Sequence, residues 1–221
     1  MTRLALIHAT RVAIEPIETA AQALWPDAET ISILEEGLSV DRAASDTLSP
    51  DMARRIIDLS RYAEAAEADG ILFTCSAFGD AIDRANSEAC IPVMKPNEAM
   101  FDAAFNEGER VAMIYTFPPA AGGMEQEFLQ AAKARGSAAM IKSYFCEGAL
   151  EAKQSGDVAT HDRLIAEVAA EIEDADVVLL AQFSMASALE SVRERVSIPV
   201  LTSPDAAIQE IRRRIEANKK D

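Results

Sequence analysis

Thr74-Cys75-Ser76 follows the apolar run Ile71-Leu72-Phe73 and opens onto Ala77-Phe78-Gly79. A thiol between a strand and a helix sits near unpaired backbone N–H groups and the positive end of a helix dipole, which predicts a lowered thiol pKa. A cysteine tuned in this way works as an acid and a base near neutrality. The flanking hydroxyls of Thr74 and Ser76, with the amides of the turn, could hold a carboxylate. The competing reading is a buried filler cysteine with Thr and Ser as turn and cap residues. Placement at the carboxyl end of a strand, where open α/β sheets bind ligands, favours chemistry. Two further strand ends carry polar groups: His8, with Thr10 just beyond it, and Tyr115-Thr116-Phe117.

Short apolar runs that alternate with helical patterns must position these residues. Leu4-Ala5-Leu6-Ile7-His8, Thr30–Leu34, Ile71–Thr74 and Ile91–Met94 read as strands in the first half. Arg110–Tyr115, Ala138–Ile141, Val177–Leu180 and Ile198–Leu201 repeat the order in the second half. Between them lie helices: one near Glu15-Pro16, a long one opened by Ser49-Pro50-Asp51, one over 97–106, one after Gly123, one capped by Thr160 and a last one from Asp205. Strand, helix and strand in this rhythm mean βαβ units and parallel sheets, hence an α/β fold. Pro118-Pro119 and Gly122-Gly123 predict a shaped loop in place of a regular helix start.

The halves align at one offset. Arg3 falls on Arg110, Thr30 on Ser137, Asp69 on Asp176 and Ile91-Pro92-Val93 on Ile198-Pro199-Val200, each 107 residues apart. Four anchors in one register point to an internal duplication, and two lobes related by a pseudo-twofold axis follow, with equivalent strand ends facing across a cleft. At this offset Cys75 aligns with Gln182, His8 with Tyr115, Thr10 with Phe117 and Ser76 with Phe183.

Composition excludes several classes. Hydrophobic residues make up 49% and charged residues 26% of the 221, the balance of a globular protein. The net charge of −16 repels phosphate backbones and anionic membrane surfaces, so neither nucleic acid nor membrane is expected as a partner. No run approaches the roughly 20 apolar residues of a membrane span, and the amino-terminal apolar run is too short for a secretory signal, so the cytoplasm is expected. Three widely spaced cysteines and two histidines argue against a disulfide framework and a metal site. Cys90 and Cys146 read as small buried fillers, and His161 as part of a solvated helix turn.

The strand-Thr-Cys-Ser-x-x-Gly-helix element, the later Val177-Val-Leu-Leu-Ala-x-x-Ser-Met-Ala186 and the repeated Ile-Pro-Val resemble the aspartate/glutamate racemase superfamily. That group includes aspartate, glutamate and hydantoin racemases, maleate isomerase and arylmalonate decarboxylase. The resemblance covers essentially the whole chain. It implies a cofactor-free enzyme of two lobes, in which two cysteines face each other across the substrate α-carbon and exchange its proton. Cys75 matches the first cysteine. The second is expected near Leu180–Ser184, where this chain has Gln182, whose amide does not ionise usefully.

The resemblance thus implies an isomerase-like enzyme, transferring a proton at the α-carbon of a small carboxylate or amino-acid-like substrate with Cys75 as catalytic acid and base. Thr74, Ser76, Thr116 and Ser184 would cradle carboxylate oxygens, and Gln182 would orient the group opposite Cys75. His8 would hold a carboxylate or serve as an auxiliary acid, its alternative being a hydrogen-bonded structural histidine. Thr10 and Phe117 would line the site. A one-base decarboxylase or isomerase and a non-catalytic ligand-binding descendant are the alternatives. The expected lobes are 1–98 with 205–221, the last helix packing back onto the first lobe, and 99–204. No cofactor is expected, and the resemblance is compatible with a homodimer.

Overall fold

The computed structural model describes residues 1–219. The chain divides into two compact units, Met1–Glu98 joined by the chain from Pro204, and Ala99–Ser203. The first unit runs β1 (Arg3–His8), α1 (Ile14–Leu24), β2 (Glu29–Leu34), α2 (Gly37–Ala43), α3 (Pro50–Ala65), β3 (Gly70–Phe73), α4 (Gly79–Glu88) and β4 (Val93–Met94). After α5 (Glu98–Glu107) come β5 (Arg110–Tyr115), α6 (Pro118–Arg135), β6 (Met140–Phe145), α7 (Ala149–Gln154), α8 (Val158–Ala170), β7 (Val177–Leu180), α9 (Leu189–Arg193) and β8 (Val200–Thr202). The closing helix is α10 (Ser203–Asn218). Each unit holds a four-stranded parallel sheet flanked by helices, ordered β2-β1-β3-β4 in the first and β6-β5-β7-β8 in the second.

Burial explains which runs were visible as strands. β3 and β7 are buried at every residue, and β1 at every residue but its first, as expected for strands covered on both faces. The edge strands β2 and β6 alternate between exposed and half-buried positions.

The repeated anchors have a shared physical role. The Arg3 N–H donates to Asp69 Oδ2 at 2.7 Å, and the Asp69 N–H returns to the Arg3 carbonyl at 2.8 Å. The Arg110 N–H donates to Asp176 Oδ2 at 2.9 Å, with the Asp176 N–H returning at 2.7 Å. Each pair clasps the starts of the first and third strands of its sheet. The Pro92 carbonyl accepts from the Ile71 N–H, and the Pro199 carbonyl from the Val178 N–H. Proline leads into an edge strand in both cases, where its missing donor costs nothing.

One anchor is displaced. β1, β3 and β4 lie 107 residues before β5, β7 and β8, but β2 begins at Glu29 and β6 at Met140, a spacing of 111. The Thr30–Ser137 pairing is therefore not kept. Ser137 lies before the strand, its N–H on the Ala132 carbonyl at the end of α6, and Arg3 and Arg110 pair in register with Glu29 and Met140.

α10 packs on the first unit. Arg212 lies over the Trp25 ring, 5.6 Å from its centroid, and donates to the Leu24 carbonyl at 3.3 Å. Ile215 fills the space in front of Gly70, where a Cβ would come within 2.5 Å of Ile215 Cδ1, so glycine is required there by close approach.

Other local expectations are corrected. Pro118-Pro119 starts α6 directly, and Gly122-Gly123 lies inside it; proline suits the first helical turn, where its missing N–H would be unpaired anyway. The cap of α8 is Asp157, which accepts from the Thr160 N–H at 3.0 Å, so Thr160 is inside the helix. His161 is fully buried and not solvated, because α8 turns this face onto the core of the second unit. Cys90 is exposed, while Cys146 is buried as a filler.

Candidate functional site

β3 and β7 end in the same way. Cys75 follows β3 with extended backbone (φ −119°, ψ 122°) and leads into a 3-10 turn over Ser76–Phe78. Gln182 follows β7 with φ −112° and ψ 148° and leads into a 3-10 turn over Phe183–Ala188. A short 3-10 turn thus separates Cys75 from α4.

The Cys75 thiol does not have the lowered pKa that its position in the sequence predicts. Burial raises it to about 11. The Ala77 backbone hydrogen bond and the charge of Arg42 act in the opposite direction but are smaller. At neutral pH Cys75 is therefore a protonated thiol, a proton donor. Arg42, on α2, was not singled out in the sequence. It is 9% exposed and is held by the Ala77 carbonyl at 3.3 Å and the Ser45 carbonyl at 2.6 Å. Its 35-residue separation from Ala77 gives no local sequence signal.

His8 is fully buried at the end of β1. Its Nδ1 lies 2.9 Å from Thr74 Oγ1 and its Nε2 3.2 Å from Ser32 Oγ; Ser32 Oγ donates to exposed Glu18 Oε1 at 2.7 Å. An ionised Glu18 can only accept, so the single Ser32 hydrogen goes to it. Ser32 then accepts from His8 Nε2–H. Burial drives the His8 pKa down to about 4, the Glu18 charge opposing, so the ring is neutral at pH 7 and Nδ1 accepts the Thr74 hydroxyl hydrogen in place of the more distant Ile7 carbonyl. Ser32 and Glu18 are two further members of this cluster that sequence reasoning missed; both reach His8 only through the β1–β2 pairing and the packing of α1.

Thr74 therefore turns its hydroxyl toward His8 and the Ile7 carbonyl, 3.3 Å away. Ser76 is buried in the turn, and Thr10 is half-buried, preceding a 3-10 turn over Arg11–Ala13. The first unit thus brings together His8 with Thr74, and Cys75 with Ala77 and Arg42.

In the second unit the Thr116 N–H donates to Gln182 Oε1 at 3.0 Å, with Thr116 Oγ1 at 3.4 Å from the same oxygen. Gln182 Nε2 is buried and has no partner among the described residues. An unsatisfied buried donor costs about 1–3 kcal/mol. Ser184 is buried in the turn after Gln182 and Thr116 at the end of β5; Phe117 is half-buried, its carbonyl accepting from the Ala120 N–H at 3.1 Å. Among the described residues no three His, Cys, Asp or Glu side chains are grouped so as to hold a metal ion, and no helix is long and apolar enough to cross a membrane.

Two parallel sheets of equivalent strand order, each with a 3-10 turn after its third strand in sequence, fit a known family. The Asp/Glu/hydantoin racemase model matches residues 7–211, and the chain belongs to that family. Glutamate racemase from Francisella tularensis subsp. tularensis SCHU S4, solved with D-glutamate, has a similar fold: TM-score 0.77 at 15% identity, covering 99% of this chain and 82% of that one. Allantoin racemase from Klebsiella pneumoniae gives a TM-score of 0.70 at 15% identity over 98% of this chain and 89% of that one. A liganded double mutant of arylmalonate decarboxylase gives 0.68 at 15% identity over 97% and 93%. No curated protein matches the chain in sequence.

Proposed function

We propose that this chain is a cofactor-independent enzyme that transfers a proton at the α-carbon of a small carboxylate or amino-acid-like substrate, with Cys75 as its single catalytic thiol. The observation that carries this reading is the half-buried Cys75 at the end of β3, its thiol held protonated by desolvation, with the Ala77 amide and Arg42 acting on it. Family membership supports the reaction class, since the family is described as one of Asp, Glu and hydantoin racemases. The two similar racemase structures bear names that fit a carboxylate or ureido substrate.

A second reading within this class is decarboxylation, favoured by two features. Cys75 is protonated at neutral pH, and the matching position of the second unit holds Gln182, which offers no second acid or base. In that reaction the bond to one carboxylate breaks, carbon dioxide leaves, and the electron pair stays on the α-carbon as an enediolate. The Cys75 Sγ–H proton goes to that carbon, and water then reprotonates the thiolate. A racemase requires in addition that Cys75, or another group, first remove a proton.

Turnover of amino acids, hydantoins and substituted malonates by wild type and Cys75→Ala tests the assignment, and full activity in Cys75→Ala would overturn it. Solvent deuterium separates the two branches. A decarboxylase places one deuteron in product and leaves recovered substrate unlabelled, whereas a racemase also washes out the substrate α-proton.

A further inference from the structure

We propose that Cys90 is a site of reversible thiol exchange that prefers small disulfides carrying a primary ammonium, and that the cavity between α3 and α4 recognises the ammonium. The proposal is independent of the reaction at Cys75.

Ser60, Arg61 and Glu64 lie on one face of α3, and Ala85 and Glu88 on one face of α4. Between these faces is a cavity of about 110 Å3, room for a group of a few heavy atoms. Ser60, which lines it, is 2% exposed, and its hydroxyl is buried with no partner among the described residues. A buried hydroxyl left alone costs free energy, and one that lines a cavity can take its partner from a ligand.

One turn further along α3, Glu64 Oε1 accepts the Cys90 backbone N–H at 2.8 Å. That bond holds the carboxylate beside the bend after α4, and the exposed thiol belongs to the same bonded residue. The other charges around the cavity neutralise one another. Arg61 pairs with Glu88 at 3.0 Å and with Asp58 at 3.4 Å, and Arg84 pairs with the other Glu88 oxygen at 3.0 Å. Glu64 makes no ion pair among the described residues.

The cavity therefore presents a carboxylate and a hydroxyl as acceptors, next to a thiol. A primary ammonium can donate to both acceptors and balances the Glu64 charge. An anionic group is repelled by Glu64, and the net charge of −16 adds to that repulsion. In the exchange the Cys90 thiolate attacks one sulfur of the disulfide. The S–S bond of the reagent breaks as the bond to Cys90 forms, and the leaving thiolate takes up the proton that Cys90 gave to water. Cys90 is thereby oxidised to a mixed disulfide, and half of the reagent is reduced to a thiol. The tether then keeps the ammonium at a high effective concentration beside Glu64.

The test uses the full chain, with cystamine as the ammonium probe, hydroxyethyl disulfide as the neutral probe and dithiodipropionate as the anionic one. The probes compete at equilibrium, and intact mass with peptide mapping counts and places the adducts. The same competition on the urea-unfolded chain is the reference. The aminoethyl adduct on Cys90 should exceed the hydroxyethyl adduct by about threefold or more over that reference, with the carboxyethyl adduct the least. Glu64→Gln, whose amide oxygen still accepts the Cys90 N–H, should remove most of the preference. Ser60→Ala removes no charge and should lower it as well, which separates the cavity from the general field of an acidic chain. A preference no greater than in the unfolded chain, an unchanged preference in either variant, or adducts that form on Cys75 or Cys146 in place of Cys90 would overturn the proposal.

Discussion

His8 Nδ1 accepts from the Thr74 hydroxyl across 2.9 Å, and this bond ties the end of β1 to the residue that precedes Cys75. The imidazole is neutral at pH 7 because it is buried, and its one N–H is at Nε2, facing Ser32, which gives its own hydrogen to Glu18.

That neutrality makes stability pH-dependent. The folded pKa of His8, about 4, lies below its ordinary 6.5, so the unfolded chain binds the proton more readily. The stabilisation is fully present above pH 6.5 and is lost as pH falls through 4. Over that window His8 alone contributes on the order of 3 kcal/mol. His161, also lowered by burial, acts in the same direction. Urea unfolding at pH 7 and pH 4.5 should show a smaller loss of stability in His8→Gln than in wild type, whose carboxylates contribute equally to both. An equal loss in the two proteins would count against a buried neutral His8.

Cysteine reactivity should follow burial. Cys90 is exposed, Cys75 half-buried and Cys146 buried, and desolvation raises the Cys75 and Cys146 thiols to about 11. Iodoacetamide attacks thiolate, so Cys90 should be alkylated first at pH 7, with Cys75 reacting only slowly until the pH rises. Arg42→Met should slow Cys75 further, because its positive charge favours the thiolate. Peptide mapping by mass spectrometry reads the order, and Cys75 reacting first at pH 7 would contradict the burial assignment.

Gly70 and Ile215 should be coupled. A Cβ at position 70 meets Ile215 Cδ1 at 2.5 Å in a fully packed region, so Gly70→Ala should cost about 1–3 kcal/mol. In an Ile215→Ala background the same change should cost much less. A double-mutant cycle by denaturant unfolding measures the difference, and strict additivity would mean that α10 does not press on β3.

The α/β class and the repeat were legible because the central strands are continuous apolar runs such as Leu4–Ile7 and Val177–Leu180. β6 was placed two residues early, since an edge strand such as Met140–Phe145 alternates and carries no apolar run. α2 left no clear trace in the sequence, and with it Arg42 was missed. Cys75 stood out through its strand-to-turn context, but the direction of its pKa did not, because burial is set by distant packing. The same holds for His8, whose partners Ser32 and Glu18 come from neighbouring elements, and for His161, whose core-facing side depends on where α8 docks.

The most direct measurement of the central claim is proton NMR in deuterated buffer, comparing wild type with Cys75→Ser on amino acids, hydantoins and substituted malonates. The account expects the wild type to place solvent deuterium on the α-carbon of at least one compound, and Cys75→Ser to lose that activity while remaining folded. Deuterium incorporation at an undiminished rate in Cys75→Ser would contradict it.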